Sequence, residues 1–419
     1  MSGQPAGLPR LYFIAQGLHF AAGGLMSVLF PWIIAQQLHE TQARVGLSQF
    51  LATLPLMLLI LLAGAVADGR DLRGYVARLQ LTAAIPAIAL AIVIATGNLS
   101  FYSATICLVA LNIVAAFIMP ARDALLSHIT PPEIGLSRTA AMAVAATFGG
   151  QLIGTTLAAS ASTIGAVPLL ALQAILLALS GILSSRVPLI SEDAFKDSTP
   201  TRVARLLHEM RDGVMTVVRS ERLRTMILYL VLPGPLFNGM FLVGFPLMVR
   251  DVFHGDAPML SIIISVFLVG LTASSFTMAR LPVIEHQGRA MMLLSLNNVF
   301  VFTVVYLIHS FPVFVVLMFL WGLSAGASMA VNRGMVQAAA PPMYRARVLS
   351  VLQFSQVAGG PIGALLYGFM AQWVGIENAL LMVPVATLIL WITFRLTTNL
   401  WHFKREDAIA ATTAPIALD

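Results

Sequence analysis

The stretch ITPPEIGLSRTAAMAVAATFGG (Ile129–Gly150) has a counterpart in AAPPMYRARVLSVLQFSQVAGG (Ala339–Gly360). In both, a Pro-Pro pair is followed by a Gly-Gly pair 17 positions after the second proline. Seventeen helical residues rise about 26 Å, which is most of a membrane thickness. A second matched pair is FPWIIAQQLHE from Phe30 and FPLMVRDVFHG from Phe245. These echoes predict that a unit of six membrane spans is duplicated in the chain.

Composition indicates a membrane protein. Of 419 residues, 58% are hydrophobic and 10% are charged, whereas soluble domains carry about 25% charged residues. A transmembrane helix needs about 20 mostly apolar residues. The sequence therefore predicts an all-α integral membrane fold of twelve transmembrane helices in two six-helix bundles. The predicted spans are 11–36, 44–67, 76–96, 101–121, 134–160, 168–185, 225–248, 258–279, 290–309, 311–332, 348–373 and 376–398.

The basic residues predict the orientation. With the amino terminus in the cytoplasm, 22 of the 24 Lys and Arg residues fall on cytoplasmic segments, and only Arg44 and Arg250 lie outside. This bias follows the positive-inside rule. We therefore expect both termini in the cytoplasm, in a bacterial inner membrane. The pI near 9.9 then reflects topology, and no nucleic-acid partner is expected.

The polar and apolar segments predict four regions. These are an N-terminal bundle (1–185), a cytoplasmic linker (186–224), a C-terminal bundle (225–399) and a cytoplasmic tail (400–419). The linker contains an amphipathic pattern, which predicts a helix on the membrane surface or a simple connecting strap. Its apolar face comprises Val203, Leu206, Leu207, Met210, Val214, Val217 and Val218.

The repeated stretches also predict how their helices begin and pack. Thr130, Pro131 and Glu133 form the pattern of a capping box at the start of the fifth span. Small residues four positions apart let two membrane helices approach closely. We therefore predict packing glycines in the fifth and eleventh spans, namely Gly150, Gly154, Gly359, Gly360 and Gly363.

The loop GAVADGRDLRG (Gly64–Gly74) resembles the signature loop of the major facilitator superfamily. That signature reads Gly, three residues, Asp, Arg, any residue, Gly, Arg, and Arg or Lys. The chain keeps Gly64, Asp68 and Arg73, but has Asp71 at the second glycine position. An Asp there is similar to the branch of drug and siderophore exporters that includes the enterobactin exporter and macrolide efflux proteins. PARDALLSHITPPE and FPLMVRDVF resemble the same branch.

The resemblance implies a cytoplasmic latch. Asp68 would bind the start of the eleventh span near Arg345–Val348, and Arg73 would pair with Asp123. Gly64 belongs to the same predicted latch. The alternative is a solvated turn, because surface ion pairs contribute only about 0–1 kcal/mol.

The resemblance also implies that spans 1, 4, 7 and 10 line the substrate cavity. Polar groups within spans are costly in lipid and should face protein or water. The seventh span is predicted to break at Pro233, Gly234 and Pro235, as binding helices of transporters often do. Interhelical hydrogen bonds are the alternative role for the polar residues. The cavity candidates are Gln16, His19, Asn112, Asn238, Phe241 and Trp321, with Phe237 and Ser324 beside them.

These observations favour a secondary active transporter that works by alternating access and exports amphipathic small molecules such as drugs or siderophores. A lipid or lysophospholipid flippase is the rival. The 18 acidic residues all lie in loops or at span ends, so His19 is the candidate for proton antiport, unless its role is structural. The histidines are scattered, which argues against a membrane-embedded enzyme. We expect a monomer that contacts substrate, protons and membrane lipids, without a cofactor or metal.

Overall fold

The computed structural model describes residues 10–67, 70–130, 135–188, 203–278, 280–282, 284–341 and 343–404. All regular secondary structure in these ranges is helical. Twelve of the helical segments are long and apolar enough to span a membrane. The predicted all-α fold with twelve transmembrane helices is therefore confirmed. Helices suit this setting because all their backbone hydrogen bonds form within one segment.

The first half of the chain begins with α1 (Arg10–Trp32), which continues into a π-helical turn (Ile33–Gln37). Six further helices complete this half of the chain, and one of them is a single short turn. They are α2 (Gln42–Ala67), α3 (Leu72–Ala95), α4 (Phe101–His128), α5 (Leu136–Ala158), α6 (Ala161–Ile164) and α7 (Ala166–Ser185), and α8 (Val203–Arg219) follows as the amphipathic helix.

The second half opens with a broken span. It consists of α9 (Glu221–Val231), α10 (Gly234–Gly239), a π-helical turn (Met240–Gly244) and α11 (Phe245–Asp251). The break falls at the predicted Pro-Gly-Pro segment. The remaining helices are α12 (Ala257–Met278), α13 (Gln287–Leu307), α14 (Phe311–Ala339), α15 (Arg345–Val374), α16 (Ile376–Leu380) and α17 (Met382–Thr397), followed by a 3-10 turn (Leu400–His402).

The chain divides into two compact units. Unit 1 comprises Met1–Glu40, Leu51–Leu206 and Gly255–Ile262, and unit 2 comprises Thr41–Phe50, Leu207–His254 and Ile263–Asp419. The first turns of α2 thus belong to unit 2, and the first turns of α12 belong to unit 1. The four regions proposed from the sequence, which keep each half of the chain whole, remain a prediction.

The start of α2 lies against α15 within unit 2. A Cβ atom added to Gly46 would lie 2.6 Å from the carbonyl oxygen of Ala364 and 2.7 Å from Cα of Gly368. The side chain of Gln42 donates a hydrogen bond to Asp251 Oδ2 over 3.2 Å. Glycine at position 46 therefore permits direct backbone contact between the two helices.

The start of α12 is held within unit 1 in a comparable way. The indole N–H of Trp32 donates to the carboxylate of Asp256. The side chain of Gln36 donates to the carbonyl oxygen of Gly255 over 3.1 Å. Both contacts come from the last residues of the first span.

The backbone repeats itself where the sequence does. His39 and His254, the histidines of the two matched FP stretches, have φ values of 50° and 48°. Positive φ is uncommon for residues other than glycine. Both stretches therefore end in the same left-handed turn, as expected of duplicated segments.

Glycines bring α1 and α5 into backbone contact in unit 1. An added Cβ at Gly150 would lie 2.2 Å from the carbonyl oxygen of Gly17, and one at Gly154 would lie 1.9 Å from that of Ala21. Real Cβ atoms cannot approach an oxygen so closely, so neither position accepts a larger residue without displacing α1.

The glycines of α15 differ among themselves. An added Cβ at Gly363 would lie 1.9 Å from the carbonyl oxygen of Pro235, and one at Gly359 would lie 3.1 Å from Asn238 Nδ2. At Gly360 the nearest atom is Leu242 Cδ1 at 4.0 Å, an ordinary contact. The tight approach to α10 therefore depends on Gly363 most.

The start of α5 differs from the prediction. The helix begins at Leu136, and the capping position is Gly135 with φ of 75°. Thr130 does not cap it, because its hydroxyl donates to the carbonyl oxygen of Leu126 at the end of α4 over 2.6 Å. Pro131 and Glu133, the other residues of the predicted capping box, lie outside the described residues.

Two helices are longer than predicted. The fourth span was expected to end at 121 and the tenth at 332, but α4 continues to His128 and α14 to Ala339. Pro120 lies inside α4 and does not end it. Membrane helices tolerate proline where neighbouring groups satisfy the freed carbonyl.

The amphipathic helix α8 is docked on unit 2. Val217 is buried with Leu223 and Val348 in one apolar cluster. Arg347, near the start of α15, binds Asp212 through Nη1 and Oδ2 at 2.9 Å. Val214 and Val218 on the same helix are exposed. The described part of the linker thus both packs on helices and presents an apolar strip.

The glycine contacts generate a stability prediction. Gly154→Ala should lower the free energy of unfolding by about 1–3 kcal/mol, because the new methyl group overlaps the α1 backbone. Gly149→Ala is the matched control, since no atom lies within 4 Å of an added Cβ there. Thermal unfolding of the purified variants in detergent measures both. Equal stability of the two variants would contradict the close α1–α5 contact.

Candidate functional site

Trp321 is the centre of an aromatic cluster in unit 2. Its ring centroid lies 4.6 Å from that of Phe267 and 5.2 Å from that of Phe302. Phe245 and Phe237 follow at 5.6 Å and 6.2 Å. The indole is buried, with 6% of its surface exposed. Such tilted and edge-on pairs stabilise one another beyond their burial, so the indole is held firmly in place.

A cavity of about 200 Å³ lies beside this cluster. Trp321 and Phe237 form its apolar side. Its polar lining comes from α9, α13 and α14, and comprises Tyr229, Ser295, Asn298, Ser328 and Asn332. Ligand sites combine apolar walls with a few polar groups that fix orientation. The cavity has this composition.

The polar lining is partly satisfied and partly open. The hydroxyls of Tyr229 and Ser295 share a hydrogen bond of 2.6 Å. In contrast, Oδ1 of Asn332 is buried without a hydrogen-bond partner among the described residues. A buried acceptor left unpaired is unfavourable unless water or a ligand satisfies it. Asn332 is therefore the group of this cavity best placed to receive a hydrogen-bond donor.

Two predicted cavity residues lie in the broken seventh span. Asn238 donates through Nδ2 to the carbonyl oxygen of Gly234 over 2.9 Å. This bond ties the Asn238 side chain to the backbone at the start of its own helix. Phe241 packs its ring against Phe245 and Phe267 at 5.8 Å and 5.5 Å. Neither residue is among those lining the 200 Å³ cavity.

The other predicted cavity residues lie in unit 1. Gln16 is buried and donates through Nε2 to Thr147 Oγ1 over 2.9 Å, while its Oε1 has no partner among the described residues. Nδ1 of His19 is likewise buried without a partner there. Asn112 is half-buried in the middle of α4. The structure thus brings Gln16 and His19 onto the same stretch of α1, with unused polar atoms.

Arg122 is a buried cation close to these residues. Its side chain is 6% exposed, and Nε and Nη1 have no hydrogen-bond partner among the described residues. The guanidinium carbon lies 4.4 Å from the centroid of the Phe20 ring. The hydroxyl of Tyr12 donates to the Arg122 carbonyl oxygen over 3.2 Å. An aromatic face thus covers the cation without meeting its hydrogen-bonding needs.

Sequence reasoning missed Arg122 and Asn332 for the same reason. Both lie at the predicted ends of their spans, Arg122 one residue beyond the fourth span and Asn332 at the last position of the tenth. A signal was present, because each residue stands nine positions before the first proline of its Pro-Pro pair. The duplication therefore places polar residues at equivalent positions in the two repeats.

The structure describes only part of the predicted latch. Gly64 lies in the last turns of α2, but Asp68 lies outside the described residues. Arg73 lies in the first turn of α3, and Asp123 is exposed on α4. Asp71 accepts a hydrogen bond from the Gly74 N–H over 3.2 Å and caps α3. Asp71, one of the residues that depart from the signature, thus caps α3.

The cavity generates a prediction for Asn332. Asn332→Leu replaces an unsatisfied amide by an apolar group of similar size, so the free energy of unfolding should stay equal or rise. Binding of a ring-bearing amide such as 1-naphthamide should weaken, because the cavity loses its open acceptor. Thermal unfolding and ligand titration in detergent measure the two effects.

Asn297→Leu is the matched control for stability. Asn297 Nδ2 donates to Ser324 Oγ over 3.0 Å and to the Leu320 carbonyl oxygen over 3.4 Å. Its loss should destabilise the protein by about 1–3 kcal/mol. If Asn332→Leu destabilised the protein as strongly, Asn332 would be a structural residue rather than a ligand group.

Solved structures share this fold. The nucleoside transporter NupG matches with a TM-score of 0.75 at 14% identity, over 95% of this chain and 100% of that chain. The human organic anion transporter MFSD10 matches with a TM-score of 0.67 at 15% identity, over 93% and 99%. A bacterial homologue of the human lysosomal transporter Spinster, inward-facing and unoccupied, matches with a TM-score of 0.67 at 13% identity, over 99% and 100%.

At these identities the structural likeness establishes the fold alone. These neighbours are transporters, in agreement with the expectation that the chain is not an enzyme. No functionally curated protein matches the sequence. The family model described as transmembrane secretion effector matches residues 11–418. The chain therefore belongs to this family of major facilitator superfamily transporters.

Proposed function

We propose that the protein is a secondary active transporter that exports amphipathic small molecules by alternating access. The observation that carries this proposal is the cavity beside Trp321 in unit 2. It joins an aromatic wall to unsatisfied or exchangeable polar groups, and an amphipathic ligand needs both. Its volume of about 200 Å³ is below the 300–1,000 Å³ of typical drug-sized pockets. It would hold one ring-bearing part of a ligand.

The family supports the direction of transport. Its description as a secretion effector favours export, and the drug and siderophore exporters named by the sequence resemblance transport in that direction. NupG is a nucleoside transporter and MFSD10 an organic anion transporter. Both descriptions concern small organic molecules. The size of the cavity favours such a molecule over a complete lipid, so a flippase remains the second candidate.

The proposal also covers the membrane, the oligomeric state, the proton coupling and the latch of the transporter. We place it in a bacterial inner membrane as a monomer, with both termini in the cytoplasm, on the strength of the Lys and Arg distribution. His19 is the candidate for proton antiport, because Nδ1 is buried on α1 without a partner among the described residues. The latch formed by Asp68, Arg73 and Asp123 would stabilise one of the alternating states.

Transport into inverted membrane vesicles tests the proposal. In these vesicles export is seen as uptake, so ring-bearing amphiphiles of positive, neutral and negative charge should be tested for accumulation. Trp321→Ala should lower the initial rate at least about fivefold, because it removes the aromatic wall. Trp373→Ala is the matched control, since Trp373 is 76% exposed on α15, and it should transport normally.

The same assay tests whether export is coupled to protons. Collapse of the pH gradient with nigericin should stop uptake if protons drive export. Absence of uptake for every compound, with wild-type protein correctly inserted, would contradict the exporter proposal. Normal transport by Trp321→Ala would show that transport does not depend on the cavity beside Trp321.

A second prediction concerns alternating access. Such a cycle requires helices that meet at one end of the protein to separate in turn. The contact of Gly46 with Ala364 and Gly368 has no room for a side chain. Gly46→Leu should therefore hold the start of α2 away from α15 and reduce transport at least about tenfold.

Spin labels at positions 43 and 372 measure this separation, because the Ala43 N–H donates to Gln372 Oε1 over 3.4 Å. The distance between the labels should lengthen in Gly46→Leu. Gly23→Leu is the matched control, since nothing lies within 4 Å of an added Cβ at Gly23. Wild-type transport by Gly46→Leu would show that this contact has no part in the cycle.

A further inference from the structure

Arg122 is the buried charge in unit 1 whose hydrogen-bonding capacity is left open. It lies six residues before the end of α4, which is about 9 Å along the helix. A buried guanidinium is strongly unfavourable unless acceptors satisfy its N–H groups. Nε and Nη1 have none among the described residues. The protein therefore holds a buried cation whose N–H groups need a further hydrogen-bond acceptor.

The surroundings favour an external acceptor over an internal one. Phe20 covers one face of the guanidinium at 4.4 Å from the ring centroid, which leaves the N–H groups in the guanidinium plane for a ligand. Asp123, the carboxylate next in sequence, is exposed on α4 and accepts no hydrogen bond from Nε or Nη1 of Arg122. Tyr12 fixes the Arg122 backbone through its carbonyl oxygen, so the cation is held in position.

The nearby polar atoms belong to the same stretch of α1. Nδ1 of His19 is buried without a partner among the described residues, as is Oε1 of Gln16. His19 lies within electrostatic range of Arg122. The set thus offers a planar fork of donors with an imidazole within electrostatic range. Arginine forks match the geometry of carboxylates and phosphates, to which they bind through two parallel hydrogen bonds.

We propose that Arg122, packed on Phe20, is an oxyanion subsite of the transporter and binds the carboxylate or phosphate group of its substrate. This inference rests on the proposed function and specifies the substrate class as anionic amphiphiles. Phe20 orients the guanidinium, and Arg122 is the residue that touches the ligand. Neutral amphiphiles do not need Arg122.

Binding of a matched ligand pair to the purified protein in neutral detergent tests the subsite. The pair is 1-naphthoate and 1-naphthamide, which share the ring and differ in charge. Wild-type protein should bind the carboxylate at least about tenfold more tightly, because charge-assisted hydrogen bonds are stronger than neutral ones. Arg122→Gln should lose this preference and still bind the amide, which also shows that the variant is folded.

Two further variants sharpen the result. Arg122→Lys keeps the charge but loses the planar fork, so it should retain only part of the preference. Arg138→Gln removes an exposed arginine from the same unit and should leave the preference unchanged. Equal loss in Arg138→Gln and Arg122→Gln would overturn the subsite, since general electrostatic attraction would then explain the preference.

The outcomes separate the subsite from the proposed function. If wild-type protein binds and transports the amide without preferring the carboxylate, the oxyanion subsite is overturned and the exporter proposal stands. If neither compound binds or is transported, the amphipathic substrate class is wrong and the subsite is overturned with it. If a lysophosphatidate binds in an Arg122-dependent manner and naphthoate does not, the subsite stands and its oxyanion comes from a lipid head group.

Discussion

The backbone contact between α1 and α5 is the constraint on which the geometry of unit 1 depends. Helices in lipid gain nothing from burying apolar surface against each other, so close packing of small residues holds them together. Gly150 and Gly154 allow α1 to lie directly on α5. Tyr12 and Phe20 are thereby fixed on α1 where α4 passes, and both contact Arg122. The position of the buried cation follows from two glycines on another helix.

Unit 2 also contains a close helix contact at a small residue, but there the contact positions an aromatic wall instead of a cation. Gly363 brings α15 against α10, which begins after the Pro-Gly-Pro break. The side chain of Asn238 donates to the carbonyl oxygen of Gly234 at the start of α10. Phe237, one residue earlier, lines the cavity beside Trp321. A helix break and a small residue together hold an aromatic wall in place, where a continuous helix would place different side chains.

Local signals in the sequence predicted the fold well. Apolar length predicted the twelve spans, because a bilayer admits few alternatives to a helix. The duplication was readable from short matched stretches, and His39 and His254 share the same unusual backbone conformation. Trp321 was named as a cavity candidate because the family resemblance implies that the tenth span lines the substrate cavity, and this role remains a prediction.

Contacts between residues that are far apart in the chain could not be predicted from the sequence. Asp212 and Arg347 are 135 positions apart, and no local pattern indicates that they pair. The ends of α4 and α14 were misjudged because Pro120 and the polar residues beyond it are typical of a helix end in water. In a membrane protein, neighbouring helices stabilise such a continuation. Arg122 lies just beyond the predicted end of the fourth span and Asn332 at the predicted end of the tenth, so neither was considered as a cavity residue.

Arg122 and Asn332 occupy equivalent positions in the two repeats, and this equivalence indicates a common role. A purely structural site inside a membrane helix is more stable with an apolar residue, because polar groups there require partners. Both repeats nevertheless carry a polar side chain nine residues before the Pro-Pro pair, and both leave polar atoms unsatisfied among the described residues. One is a cation that needs an oxyanion, and the other presents a neutral acceptor that needs a donor. Under the proposed subsite, each repeat keeps a position for ligand chemistry, and the difference between guanidinium and amide would decide which chemical group it accepts.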